Sequence, residues 1–78
     1  MSSLPSFSTR QIVKALRKAE FEDAPERGKG SHVALTRTES DATVRLVIIP
    51  DRKSVPVGTL RSIIRQSGLT REEFLALL

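Results

Sequence analysis

HVALTRTESDATVRLVIIP, residues 32–50, is the stretch on which the fold turns. Residues 32–37 alternate in character, with Val33 and Leu35 on one face of an extended chain and His32, Ala34 and Thr36 on the other. Residues 43–49 form the stronger strand pattern, rich in β-branched side chains and closed by Pro50. The acidic and polar residues 38–41 between them read as a hairpin loop. Alternation in the second strand separates Val44, Leu46 and Ile48 from Arg45, Val47 and Ile49. With the first set taken as core, Val47 and Ile49 leave an apolar patch on the open side of the sheet near His32, a surface suited to a protein partner; burial of both sets is the competing reading. Upstream, residues 21–27 mix charges with Pro25, which cannot donate to a ladder, so an edge strand is the most that fits. The expectation is a three-stranded antiparallel meander.

Helices flank it. Ser8 and Gln11 have the spacing of a capping box, and Ile12, Val13, Leu16 and Ala19 follow at helical intervals, predicting a helix over residues 9–19. Arg10, Lys14 and Arg17 fall on the opposite side and read as a solvated face. A second helix begins at Gly58 or its neighbour, turns Leu60, Ile63 and Ile64 inward and Arg61 and Arg65 outward, and stops at Gly68. Thr70 and Glu73 form a second capping box that opens a short terminal helix through Phe74, Leu75 and Leu78. Two helices covering one face of the sheet make a two-layer α+β domain over residues 1–78.

Thirteen basic residues against nine acidic ones leave a net charge of +4. Nucleic acid is therefore the first partner to consider and a membrane surface a poor second. Only Phe7, Phe21 and Phe74 are aromatic, too few for a base-stacking platform, so contacts are expected to go to phosphates and sugars. No cysteine is present, which excludes disulfides and thiolate metal sites; with a single histidine, no metal or cofactor is expected. The longest apolar run, residues 46–49, is too short to span a bilayer, and residues 1–7 lack the pattern of a secretory signal. A cytoplasmic protein without membrane contact is the expectation.

GKGSHVAL, residues 28–35, carries that histidine. On the open face at a strand start, an imidazole can exchange a proton near neutral pH, as a general acid or base must. RNA brings its own nucleophile in the 2′-hydroxyl, so one base and several cations suffice in principle. Lys29 is close enough in sequence to meet a phosphate, and the N–H groups of Gly28, Lys29, Gly30 and Ser31 could add donors. Residue type alone leaves His32 catalytic or structural.

The blocks IVKALRKAEF, RGKGSHVAL and VGTLRSIIRQSGLTREEFLALL, covering residues 8–78 with the proline-closed strand, resemble the HicA family of toxin ribonucleases from bacterial toxin-antitoxin modules. The resemblance implies a double-stranded-RNA-binding-like α-β-β-β-α fold, translation-independent endoribonuclease cleavage of mRNA, and neutralisation by a HicB-type antitoxin. By position, Gly30 is the motif glycine and His32 the catalytic histidine. Arg45, Arg52 and Lys53 join Gly28, Lys29, Gly30 and Ser31 as expected RNA or phosphate contacts. Many members carry a further histidine where this chain has Val33 or Asp51-Arg52-Lys53. Either Arg52 or Lys53 then stabilises the leaving oxygen, or water supplies its proton, or the enzyme is slow.

Two other classes compete. LRSIIRQSGLTREEFLALL has the outline of a DNA-binding helix-turn-helix with Arg61, Arg65 and Arg71, although Glu72 and Glu73 open its second helix and the strands are left without a task. A non-catalytic RNA-binding module would use the same fold.

Overall fold

The computed structural model describes residues 6–28 and 30–78. Its elements are α1 (Thr9–Lys18), β1 (Glu22–Asp23), a 3-10 turn (Pro25–Arg27), β2 (His32–Thr38), β3 (Val44–Pro50), α2 (Val57–Ser67) and α3 (Arg71–Ala76).

Both capping boxes form. The Ser8 hydroxyl accepts the Gln11 N–H at 3.2 Å while Gln11 Oε1 accepts the Ser8 N–H at 2.9 Å, and Thr70 and Glu73 repeat the exchange at α3. Helix α1 stops because Glu20 turns left-handed (φ 74°), returning the N–H of Phe21 to Leu16 O and that of Glu20 to Arg17 O, both at 3.0 Å. This closing pattern caps two orphan carbonyls and delivers Phe21 into the core beside Leu16. Helix α2 ends at Gly68, whose φ of 79° suits a residue without Cβ.

The sheet has the order β1-β2-β3, antiparallel throughout. Val33 opposes Ile49, Leu35 opposes Val47 and Arg37 opposes Arg45 on one face; His32 opposes Pro50, Ala34 opposes Ile48 and Thr38 opposes Val44 on the other. Leu35, Val47 and Ile49 join Ile12, Leu16, Leu60, Ile63 and Phe74 in the core, so the helices cover a single face. The phase expected for the third strand is therefore reversed. Val47 and Ile49 are fully buried, whereas Val44 is 54% exposed and Leu46 and Ile48 are half-buried on the open face. A strand apolar on both sides does not reveal its own phase. Its pairing with β2 decides it, because a slip of one residue would exchange the faces.

Two further contacts close the molecule. The Val55 N–H donates to Phe7 O at 2.7 Å, and the Phe7 ring meets Phe74 edge-on with centroids 6.3 Å apart. At the hairpin end, Arg37 donates to Glu39 at 2.7 and 3.2 Å and to Ala19 O at 2.9 Å, with its guanidinium 4.7 Å above the Phe21 ring. Hydrogen bonding from Arg37, helped by Arg45 at 3.3 Å, holds the Glu39 carboxyl below its usual pKa. No helix among the described residues is long and apolar enough to cross a membrane.

Candidate functional site

His32 is the first residue of β2, and β1 pairs with β2 only at Leu35 and Thr36. Residues 24–28 take over along the freed edge, with the Ala24 N–H donating to Ala34 O at 2.9 Å. Gly28 runs so close to this edge that a Cβ on it would lie 2.8 Å from His32 O. Its glycine character is required by that approach of backbone to backbone. Its N–H is given to Pro25 O at 3.2 Å and so is already engaged inside the protein.

The other side of the site is stitched through Thr9. Asp51 N–H donates to Ser31 O at 2.9 Å, carrying the β2-β3 pairing one step beyond Pro50. Thr9 N–H then donates to Arg52 O at 2.9 Å, and the Thr9 hydroxyl accepts the Arg52 N–H at 2.8 Å while donating to Pro50 O. These bonds fix the start of α1 against the loop that follows β3. Exposed His32, Arg52 and Lys53 consequently share one groove with Arg10, Lys14 and Arg17 of α1.

Five cations and two carboxylates line this groove among the described residues. Arg17 is engaged by Asp23 in a two-pronged pair at 2.8 and 2.9 Å. Among the described residues, no ion pair or hydrogen bond engages the side chains of Arg10, Lys14, Arg52 or Lys53, and the His32 ring is likewise unbonded. The opposite end of the sheet has the reverse balance, with Glu20, Glu22 and Glu39 against Arg37 around a second depression. A polyanion is therefore drawn to the His32 end. Phe21 and Phe74 are buried and Phe7 is half-buried, so neither wall offers a ring for base stacking.

Of the residues singled out in the sequence, Gly28, Gly30, His32, Arg52 and Lys53 meet at the groove. Gly30 is exposed with φ 61°, and Ser31 contributes its carbonyl to Asp51. Lys29 lies outside the described residues. Arg45 is not brought to the groove. It stands five positions from Pro50 along β3, about 17 Å at 3.4 Å per residue, on the helix-covered face beside Glu39 and Gly68. Arg10 and Lys14 were legible only as a solvated helix face. Their spacing of four was visible, but nothing local indicates which part of the chain that face meets.

No curated protein matches the chain. Residues 9–69, which include Arg10, Lys14, His32, Arg52 and Lys53, match the family model of the HicA toxin of bacterial toxin-antitoxin systems, and the chain belongs to that family of toxins, which implies an antitoxin as its partner.

Proposed function

We propose that the protein is a metal-independent endoribonuclease that cleaves messenger RNA in the cytoplasm, with His32 as general base. The observation that carries this reading is the placement of an exposed, unbonded histidine in a groove whose cations Arg52 and Lys53 have no partner among the described residues. His32 takes the proton of a ribose 2′-hydroxyl, the 2′ oxygen attacks the adjacent phosphorus, and the bond to the 5′ oxygen breaks. Arg52 and Lys53, with the N–H group of Gly30, offset charge growing on the phosphoryl oxygens, and water returns a proton to the leaving oxygen. The chain has no second imidazole to do so.

A HicB-type antitoxin is the partner this reading calls for. Seated over Val44, Leu46 and Ile48, it would lie on the sheet face that also carries His32. The helix-turn-helix reading is less well supported, because α3 has only six residues and buries Phe74 completely in the core.

The test is to incubate the protein in EDTA with a single-stranded RNA and its all-deoxy copy, beside His32→Ala. Cleavage of RNA alone, surviving chelation and lost in the variant, is expected. Tight binding without cleavage would indicate a non-catalytic RNA-binding module, and undiminished cleavage by His32→Ala would sink the mechanism.

A further inference from the structure

The cleavage chemistry leaves two groove cations of α1 without a task. Arg10 and Lys14 are four residues apart on one helix face, about 6 Å along the axis at 1.5 Å per residue. Both are exposed, both line the groove that holds His32, and neither has a side-chain partner among the described residues. Arg17, next along that face, differs: its guanidinium is already engaged by Asp23. The free row is therefore two cations long. It starts one residue after Thr9, whose bonds to Arg52 fix where α1 begins relative to the site.

We propose that Arg10 and Lys14 form a phosphate track holding the single-stranded RNA that flanks the scissile phosphate. This inference rests on the reading of the His32 groove as an RNA site and says where the rest of the strand lies. One line of cations a helical turn apart suits successive phosphates of one strand. A duplex presents two rows, and the other unpaired basic helix face, Arg61 and Arg65 on α2, does not line the groove. Without an exposed aromatic ring beside it, the track grips backbone and leaves the bases unread. Binding at these flanking nucleotides is thus tolerant of sequence and steeply dependent on salt.

The test measures binding of a fully 2′-O-methylated single-stranded RNA, which lacks the nucleophile and stays intact, by fluorescence anisotropy over a salt series. The full chain is compared with Arg10→Ala/Lys14→Ala, the charge-preserving Arg10→Lys/Lys14→Arg, and Arg61→Ala/Arg65→Ala, which removes equal charge outside the groove. The first double variant should flatten the slope of log Kd against log salt by about 1.4, at about 0.7 per single-strand phosphate contact, and weaken binding at low salt about tenfold. The charge-preserving pair should restore the slope and the α2 pair should leave it near that of the parent. An unchanged slope in Arg10→Ala/Lys14→Ala, an equal flattening in Arg61→Ala/Arg65→Ala, or a preference for duplex RNA would overturn the track. Flattening in the α1 variant alone, in a protein that fails to cleave unmodified RNA, would support the track and overturn the catalytic reading instead.

Discussion

Thr9 and Arg52, 43 residues apart, are joined twice: the Thr9 N–H donates to the Arg52 carbonyl at 2.9 Å, and the Thr9 hydroxyl accepts the Arg52 N–H at 2.8 Å. The same hydroxyl donates to Pro50 O, and Thr9 is only 6% exposed. Thr9→Val keeps the shape but leaves the Arg52 N–H and Pro50 C=O unmet in a poorly solvated place. It should cost about 1–3 kcal/mol in a urea melt and lower RNA cleavage, with Thr9→Ser recovering most of both. Full stability in Thr9→Val would mean that the loop is held by something else.

The His32 side chain is exposed and makes no hydrogen bond with any described residue. His32→Gln should therefore leave stability within about 0.5 kcal/mol while cutting the cleavage rate by about 100-fold to 10,000-fold. Parallel melting and cleavage assays read the two effects separately. A large loss of stability would assign the histidine to the fold.

Gly28 and Gly68 both resist a side chain, for different reasons. A Cβ at Gly28 would press at 2.8 Å on the backbone oxygen of His32, which can yield only by moving the start of β2. Gly28→Ala should cost about 1–3 kcal/mol and depress cleavage beyond what the lost stability explains. At Gly68 the nearest atoms belong to the Arg45 guanidinium, 2.5 Å away on a flexible chain, and the lasting cost is the left-handed backbone. Gly68→Ala should lose about 1–2 kcal/mol with the cleavage rate of the folded protein unchanged. Equal losses of activity per unit stability in the two variants would contradict this division.

Glu39 makes the hairpin end acid-sensitive. Its carboxyl titrates lower in the folded chain than in the unfolded one, first through the hydrogen bond from Arg37. The unfolded state then binds more protons, so the stabilisation is complete above the ordinary value of 4.5 and is lost as pH falls through the lower folded value. Asp41 shifts in the same direction, first through the Thr43 side chain and then through the Thr43 N–H, which it accepts at 3.0 Å. Urea midpoints followed from pH 7 into this acid range should fall less steeply for Glu39→Gln than for the parent. Superimposable acid limbs would remove Glu39 from the explanation.

Much of the architecture is written in neighbouring residues. Ser8 with Gln11, Thr70 with Glu73, and Gly68 after Ser67 mark helix ends because capping is settled over three or four positions. The two long strands and their hairpin are equally legible, since alternation and turn chemistry are local, and so is the exposed start of β2 that bears His32. Periodicity cannot supply phase. Val44, Leu46 and Ile48 are at least as apolar as Arg45, Val47 and Ile49, and only the pairing of Leu35 with Val47 under the helices decided which set is buried. Nor does any short window reveal that Phe7 pairs with Val55, or that Thr9 bonds Arg52 and so sets Arg10 and Lys14 along the groove that His32 also lines. The sequence by itself determined the elements and the candidate base, through interactions spanning a few residues; the cationic α1 wall of the groove was decided by contacts more than forty residues apart, which exist only once the core has closed.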